Sequence, residues 1–208
     1  MIDTLLVLAK QPMPGRVKTR LVPPLTHRQA ADLARAALED TLRVASSVPA
    51  RRWLLALDGT PDRGLPTGWC CVAQHSGGLD RRLAGAFEHA RGPAILIGMD
   101  TPHLQCRQLA EFDPARYDAC LGPAVDGGYW AIGFADPRVA AVVVPGVPMS
   151  TARTGREQLR RLRACGLRVQ LLDTLDDIDT FDTAQQVAAD YPHGAFARAV
   201  RELEQVAE

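Results

Sequence analysis

The stretch LVLAKQPMPGRVKTRL, residues 6–21, combines the end of an apolar run with a loop that is rich in cations. Lys10 directly follows the apolar residues, and the loop then carries Arg16, Lys18 and Arg20. A short, continuous apolar run is typical of a strand buried on both faces of a sheet. The stretch therefore predicts a first strand that delivers several positive charges to the loop at its carboxyl end.

This loop does not have the sequence of a standard phosphate-binding loop. The pattern G-x-x-x-x-G-K-[ST] is not met, because Gly15 is followed by Arg-Val-Lys-Thr and no glycine directly precedes Lys18. Gly15 would still let the backbone approach a ligand closely. Charge-assisted hydrogen bonds to phosphate contribute about 1.5–3 kcal/mol each, and the loop offers four candidate cations: Lys10, Arg16, Lys18 and Arg20. The alternative is a solvated basic loop.

Apolar runs alternate with helical patterns along the rest of the chain. The predicted strands are residues 4–9, 53–57, 69–73, 94–98, 119–121, 129–133 and 168–172. The predicted helices are residues 26–46, 79–90, 103–111, 155–165, 184–189 and 195–206. Such alternation predicts an α/β fold of three layers, a mainly parallel sheet with helices on both faces. At 208 residues without a linker or repeat, residues 1–208 are expected to form a single domain.

The helix predicted over residues 26–46 has the clearest sequence signals. Thr26 is the expected N-cap, and Gln29 stands at the capping-box position three residues later. Apolar and small residues recur at spacings of three and four, which predicts one buried stripe along the helix. The stripe consists of Ala30, Leu33, Ala34, Ala37, Leu38, Thr41, Leu42 and Ala45.

Composition narrows the class of protein. Apolar residues make up 47% of the chain and charged residues 23%, which is typical of a folded domain with a full core. The 24 basic and 24 acidic residues give a net charge of zero, which argues against a nucleic-acid-binding protein. The five cysteines show no spaced pairs of a zinc site and are expected to be reduced. The N-terminus lacks a signal-peptide pattern and no apolar run could span a membrane, so we expect a cytoplasmic protein; a homodimer is left open.

An acid follows the predicted strand at residues 94–98. In AILIGMDTPHL, residues 94–104, Asp100 comes directly after the strand and Pro102 starts the next segment. Ligands of open α/β sheets bind outside the carboxyl ends of the strands. Mg²⁺ prefers one or two carboxylates together with phosphate oxygens, so Asp100 is a candidate metal ligand. The alternative is that Asp100 or Thr101 caps the following helix.

A second group of acids follows the last predicted strand. The segment DTLDDIDTFD, residues 173–182, contains Asp173, Asp176, Asp177, Asp179 and Asp182. Such a run is usually a solvated loop or the start of a helix. One of its acids could instead meet Asp100 across the ligand crevice, and the two would then bracket a cation beside a phosphate.

A glycine-rich turn lies between two predicted strands. In GPAVDGGYWAIG, residues 122–133, Asp126 precedes Gly127 and Gly128, and Asp-Gly is a strong turn signal in hairpins. A binding role would require free backbone N–H groups at both glycines and a flat wall from Tyr129 or Trp130. The alternative is an ordinary hairpin.

Together these segments resemble a known family. AKQPMPGRVKTRL, IGMDTPHL, GPAVDGGYWAIG, Met149-Ser150-Thr151 and the DIDT of residues 177–180 appear in the order found in the bacterial selenodomain-associated transferases. That family is classed with the GT-A-type nucleotide-diphospho-sugar transferases. The chain is also similar, more distantly, to the phospholactate and phosphoenolpyruvate guanylyltransferases, through KTRL and the later ALEDTL of residues 37–42.

The resemblance implies a Rossmann-like GT-A fold with a mixed sheet, whose first loop surrounds a nucleoside triphosphate or nucleotide-sugar. It implies Mg²⁺ or Mn²⁺ held by Asp100 and by an acid of DIDT, best assigned to Asp179, although Asp177 stays open. Gly127 and Gly128 would face a small-molecule acceptor. Two departures concern the acceptor side: Met149 stands where the family tends to have an aromatic residue, and GGLDRRL, residues 77–83, follows the usual glycine-Leu-Gly-x-Arg pattern only loosely.

Three functions follow as expectations. The first is Mg²⁺-dependent nucleotidyl transfer to a phosphorylated or hydroxyl acceptor, with Lys18 and Arg20 on the leaving phosphates and Asp100 as a catalytic metal ligand. The second is glycosyl transfer from a nucleotide-sugar; against it, Asp100-Thr101-Pro102 lacks the second acid of the Asp-x-Asp motif common in GT-A glycosyltransferases. The third is a non-catalytic nucleotide-binding module.

Overall fold

The structure is a computed structural model that describes residues 1–61, 64–176 and 178–207. Seven strands form one sheet: β1 (Thr4–Lys10), β2 (Arg52–Asp58), β3 (Trp69–Ala73), β4 (Ala94–Gly98), β5 (Ala119–Pro123), β6 (Tyr129–Phe134) and β7 (Val169–Leu171). Their order is β3-β2-β1-β4-β6-β5-β7. Only β6 runs antiparallel to its neighbours, so the predicted mainly parallel mixed sheet is confirmed for the described part of the chain.

Seven α-helices surround the sheet: α1 (His27–Ser46), α2 (Leu79–Phe87), α3 (Cys106–Ala110), α4 (Ala140–Val143), α5 (Thr154–Ala164), α6 (Phe181–Asp190) and α7 (Ala195–Ala207), as far as the described ranges extend. Short 3₁₀ helices lie at Thr19–Leu21 and Pro137–Val139. The prediction missed both of these and α4. No helix among the described residues is long and apolar enough to cross a membrane.

The capping box of α1 is confirmed. The Thr26 hydroxyl accepts the backbone N–H of Gln29, and the Gln29 side chain accepts the backbone N–H of Thr26. The predicted stripe is buried at every position except Leu38, which is partly buried.

Three predicted helix boundaries differ from the structure by three residues, each for a local reason. α2 ends at Phe87 because the N–H groups of the next residues bond three residues back, as in a 3₁₀ turn. α3 begins only at Cys106, since Gln105 caps it. α6 begins at Phe181, where the Thr180 hydroxyl accepts the backbone N–H of Thr183.

The strands are buried on both faces because successive side chains point to opposite sides of the sheet. Leu5 and Val7 belong to the core cluster that includes Ala31 and Ala34 of α1. Leu6 lies in the opposite cluster, which holds Leu83 and Phe87 of α2 and Leu162 of α5. A third cluster joins α1 to α6 and α7. The result is the predicted three-layer arrangement of helices, sheet and helices.

The topology determines where a ligand crevice forms. β1 pairs with β2 on one side and with β4 on the other, both in parallel. The chain therefore leaves β1 in one direction and β4 in the other, which makes this pair the switch point where ligands bind in open α/β sheets. The loop after β1 and the residues after β4 meet at this point.

Candidate active site

A cleft of about 780 Å³ lies along the carboxyl edge of the sheet. Its lining includes most of the residues predicted from the sequence: Lys10, Arg16, Lys18, Arg20, Asp100, Gly128 and Asp179. Gly15 and Gly127 lie in the same loops, but neither is among the residues that line the cleft. We call four cations the basic wall: Lys10 at the end of β1, and Arg16, Lys18 and Arg20 in the loop that follows. The structure thus brings them together with both candidate metal ligands.

Lys18 is the central residue of the basic wall. Its side chain is only 10% exposed, and its Nζ lies 2.8 Å from Oδ1 of Asp100. The same Nζ donates to the backbone carbonyl of Ile178 at 2.5 Å. Lys18 therefore joins three segments that are far apart in the sequence: the loop after β1, the end of β4 and the acidic segment before α6.

Asp100 does not cap a helix. α3 is capped by Gln105, and the Asp100 side chain is 49% exposed in the cleft. Its backbone carbonyl accepts the N–H of Ile178 at 3.4 Å, which holds the acidic segment against the end of β4. The carboxylate is therefore available to a ligand, with Lys18 as its partner.

Asp179 pairs with Arg20 by a side-chain hydrogen bond. The two side chains are 69% exposed for Arg20 and 39% exposed for Asp179, so solvent screens this pair far more than the Lys18 pair. Asp177, the other acid left open by the sequence, lies outside the described residues. Asp179 therefore remains the acid of the DIDT segment that lines the cleft with Asp100.

The donor set of the cleft suits a hard divalent cation. Across the described residues there is no group of three or more His, Cys, Asp or Glu side chains that could enclose a metal. Mg²⁺, however, uses one or two carboxylates and takes its other ligands from phosphates and water. Asp100 and Asp179 supply that minimum, and Lys18 and Arg20 balance their charge. The residues thus fit a metal that is bound together with a phosphate ligand.

Sequence reasoning missed a polar group at the ends of β2 and β3. The Arg82 guanidinium donates to Oδ2 of Asp58 at 2.7 Å and to the carbonyl of Gly77 at 3.0 Å. The Gln74 amide donates to the carbonyls of Ala9 and Ala56. Gln74 and Arg82 line the cleft. Asp58 ends β2, so the strand-end rule that selected Asp100 would have selected it too.

The charges around Asp58 extend the basic wall. The hydrogen bond from Arg82 lowers the pKa of the Asp58 carboxyl, and the charges of Arg16 and Lys10 lower it further. Asp58 is therefore ionised at neutral pH and tethers Arg82, which adds a fifth cation to the cleft.

The glycine-rich turn forms the predicted hairpin between β5 and β6. Its amides are not free: the N–H of Gly127 donates to the Ala124 carbonyl at 3.0 Å, and that of Gly128 to Oδ1 of Asp126 at 2.7 Å. The prediction of bare N–H groups facing an acceptor is wrong for this reason. Gly127 has a packing role instead, since a Cβ there would lie 2.2 Å from the Ala152 carbonyl oxygen.

This turn, the start of β6 and the segment that leads into α5 form the other side of the cleft. We call this side the β6 wall, and it consists of Asp126, Gly128, Tyr129, Trp130, Met149, Ser150, Thr151, Ala152 and Thr154. Ser150 has φ 57° and Lys18 has φ 48°, and they are the two described non-glycine residues with positive φ. Backbone strain of this kind concentrates at functional sites, and here both instances line one cleft.

A family model matches residues 31–151, more than half of the chain. It is the model of a family described as "Uncharacterized protein conserved in bacteria (DUF2064)". The chain belongs to this family. The matched residues include Asp58, Asp100 and most of the β6 wall, whereas the basic loop after β1 lies before them. None of the curated proteins matches the chain.

Solved structures resemble the chain over nearly its whole length. A protein from Desulfovibrio desulfuricans G20, with a proposed nucleotide-diphospho-sugar transferase activity, is 26% identical with a TM-score of 0.83, covering 99% of this chain and 96% of its own. The 2-C-methyl-D-erythritol 4-phosphate cytidylyltransferase of Thermus thermophilus is 19% identical with a TM-score of 0.56, covering 96% and 99%. The 4-diphosphocytidyl-2C-methyl-D-erythritol synthase of Anaerococcus prevotii is 9% identical with a TM-score of 0.57, covering 92% and 97%.

These comparisons establish the fold that the sequence predicted. The DUF2064 chain has the architecture of the nucleotide-diphospho-sugar transferases and nucleotidyltransferases. At identities of 19% and 9%, the two cytidyl-transferring enzymes carry information on fold alone. The Desulfovibrio desulfuricans structure, at 26% identity, supports a nucleotide-related transferase.

Proposed function

We propose that this protein transfers a nucleotidyl group from a nucleoside triphosphate to a small acceptor, with residues 1–208 acting as one domain. The observation that carries the proposal is the position of Lys18, whose nearly buried ammonium joins Asp100 and the Ile178 carbonyl within a cleft lined by further cations. A nearly buried ammonium at Lys18 beside the half-exposed carboxylate of Asp100 favours an anionic ligand that binds together with a metal ion.

Phosphate binding follows from the charge of the basic wall. Lys10, Arg16, Lys18 and Arg20 surround the switch point of the sheet, and each charge-assisted hydrogen bond to a phosphate contributes about 1.5–3 kcal/mol. Lys18 and Arg20 hold the leaving phosphates, and Lys10 and Arg16 assist. An oxygen of the acceptor then attacks the α-phosphorus in line, and pyrophosphate leaves. The protein acts by positioning and by neutralising charge.

Asp100 and Asp179 would hold Mg²⁺ or Mn²⁺. The metal supplies charge neutralisation on the phosphate oxygens when it is bound. Lys18 and Arg20, which pair with these carboxylates, would hold the phosphates beside it. Asp100 and Asp179 lie on two different segments, so a metal between them would also hold those segments together.

Glycosyl transfer from a nucleotide-sugar is the second candidate, and the Desulfovibrio desulfuricans protein favours it. The resemblance to the selenodomain-associated transferases points the same way, whereas the resemblance to the guanylyltransferases favours nucleotidyl transfer. The residues after Asp100 are Thr101 and Pro102, so the Asp-x-Asp motif is incomplete. Nucleotidyl transfer is the better supported of the two for this reason.

A thermal-shift screen tests the proposal. GTP, CTP, ATP, UTP and their nucleotide-sugars are added with and without Mg²⁺, and a ligand at about 100 times its dissociation constant should add about 2.7 kcal/mol of stability. Product analysis then separates the candidates, because nucleotidyl transfer releases pyrophosphate and glycosyl transfer releases a nucleoside diphosphate. If no nucleotide or nucleotide-sugar raises the melting temperature, the proposed function is refuted.

A further inference from the structure

The two walls of the cleft differ in charge. The basic wall and its continuation supply Lys10, Arg16, Lys18, Arg20 and Arg82. The nine residues of the β6 wall include no Lys, Arg or His, and Asp126 is their single charged residue. Sheet order explains the separation, since the basic wall follows β1 and β3 whereas the β6 wall borders β6 on the other side of the switch point.

A phosphorylated acceptor would require a cation on the β6 wall. A phosphate monoester carries nearly two negative charges at neutral pH, and desolvating it beside a carboxylate without a cation is unfavourable. Arg153 lies between Ala152 and Thr154 of the wall in sequence, but it is exposed and is not among the residues that line the cleft. The wall instead offers groups that pair with hydroxyls: the hydroxyls of Ser150 and Thr151 and the carboxylate of Asp126.

The turn that carries Asp126 is held rigidly. The N–H of Ala124 donates to the Gly128 carbonyl, that of Val125 to the Leu175 carbonyl, and that of Gly155 to the Gly127 carbonyl. A Cβ on Gly155 would lie 2.5 Å from the Gly128 carbonyl oxygen, so α5 packs against the turn at backbone contact. Asp126 is therefore presented from a fixed backbone.

The Asp126 carboxylate has one oxygen engaged and one open. Oδ1 accepts the N–H of Gly128 at 2.7 Å, which orients the side chain. Oδ2 makes no hydrogen bond to the residues that the structure describes, and the side chain is exposed in the cleft. An oriented carboxylate with a free oxygen is suited to accept a proton from a bound hydroxyl.

We infer that the β6 wall binds an uncharged acceptor with several hydroxyl groups, and that Asp126 takes the proton of the attacking hydroxyl. The inference rests on the proposed function and specifies its acceptor. As the acceptor oxygen forms its bond to the α-phosphorus, the bond from that phosphorus to the bridging oxygen of pyrophosphate breaks. The acceptor proton goes to Oδ2 of Asp126, and pyrophosphate keeps the electron pair. Ser150 and Thr151 hold the other hydroxyls of the acceptor.

Asp126→Asn tests the role of the carboxylate. Its side-chain oxygen still accepts the Gly128 N–H, so the turn is retained while the base is lost. Asp113→Asn is the matched control, because Asp113 likewise accepts a backbone N–H two residues on, that of Ala115 at 3.1 Å, in a turn outside the cleft. We expect Asp126→Asn to lower turnover about 100- to 10,000-fold. The dissociation constant of the nucleotide should not change.

Matched acceptors test the class of substrate. Pyrophosphate release is measured with glycerol and erythritol and with glycerol 3-phosphate and erythritol 4-phosphate, and the neutral polyols should react at least tenfold faster than their phosphates. Met149→Lys places a cation on the half-buried edge of the β6 wall and should shift the preference towards the phosphates.

Three results would overturn the inference: a preference of the native protein for the phosphates, nucleotide binding with no turnover of either polyol, or full activity in Asp126→Asn. Absence of nucleotide binding by the native protein is a different result. It would refute the proposed function itself, and the thermal-shift screen detects it independently of any acceptor.

Discussion

The basic wall and the β6 wall of the cleft differ in the charge of their side chains and in how closely their backbone is packed. The basic wall consists of long charged side chains on a loop, and Gly15 in that loop has open space around it. The β6 wall has a single charged side chain, that of Asp126, on a turn that touches α5 and the segment before it at backbone distance. A loop of cations can follow a ligand that varies in position, whereas a close-packed turn presents one carboxylate in one place. This difference suits a site in which the basic wall binds phosphates through charge and the β6 wall binds the acceptor through its shape.

The largest effect is expected on stability, when one glycine in each wall is replaced by alanine. Gly127 and Gly15 both have positive φ, 89° and 76°, so alanine is strained at either position. Only at Gly127 would the Cβ also meet a backbone carbonyl. We expect Gly127→Ala to lower the free energy of unfolding by about 3 kcal/mol or more and Gly15→Ala by about 1 kcal/mol. Urea denaturation measures both, and equal losses would show that the β6 wall is not close-packed.

The next effect concerns the charge of the basic wall. Lys18→Met keeps the length of the side chain and removes the ammonium beside Asp100. We expect nucleotide affinity to fall about 10- to 100-fold, the loss of one charge-assisted contact to phosphate. Arg28→Met, an exposed cation on α1 outside the cleft, is the control and should bind as the native protein does. Titration calorimetry measures the nucleotide affinity of both variants. An unchanged affinity in Lys18→Met would contradict the role of Lys18 on which the proposed function rests.

A smaller effect is expected on stability at alkaline pH, through the Tyr129 phenol of the β6 wall. Burial raises the pKa of the Tyr129 phenol from its usual 10.0, and the charge of Asp80 raises it further. The folded state therefore keeps this proton where the unfolded state loses it, so stability is full below pH 10 and falls as the pH rises above it. The fall amounts to at most about 0.8 kcal/mol at pH 10.5.

Tyr129→Phe should abolish this part of the alkaline loss. Tyr191→Phe, which removes an exposed phenol, should retain it. Unfolding free energies at pH 8 and pH 10.5 provide the measurement. An alkaline loss of the same size in all three proteins would mean that the Tyr129 phenol is not shielded by the wall.

The smallest effect tests backbone strain. Ser150 is exposed and has φ 57°, so Ser150→Gly removes the strain without leaving a cavity. We expect the free energy of unfolding to rise by about 0.5 kcal/mol, because glycine adopts this conformation without steric conflict but is more flexible when unfolded. Loss of the hydroxyl should at the same time weaken acceptor binding. A destabilised variant would show that the Ser150 side chain has a structural role.

Asp100 illustrates how far sequence reasoning reached. Its place after an apolar run predicted a residue at the ligand edge of the sheet, and the structure has it in the cleft. The alternative of a helix cap could not be rejected from the sequence. α3 is capped at Gln105, whose backbone N–H donates to the Gln108 side chain at 2.8 Å, and this contact has no strong sequence signal. Asp58 ends β2 and the same rule would have selected it, but its pairing with Arg82 of α2, 24 residues later, has no signal in the sequence.

The turn at Gly127 and Gly128 illustrates the limit. Asp-Gly predicted a hairpin correctly, but the use of the amides depends on local geometry. The tight packing against Ala152 and α5 depends on a segment more than twenty residues later. Spacing in the sequence carries no information on such a contact.

By itself, the sequence determined the strands, most of the helices, the alternation that makes a three-layer sheet and the cations of the first loop, because these depend on local periodicity and on which side chains can be buried. Only the tertiary structure decided that β1 lies between β2 and β4, which brings Lys18 to Asp100 and to Ile178. The division of the cleft into a basic wall and a β6 wall has the same origin. The order of strands is set by how the whole core is buried, and no local pattern specifies it.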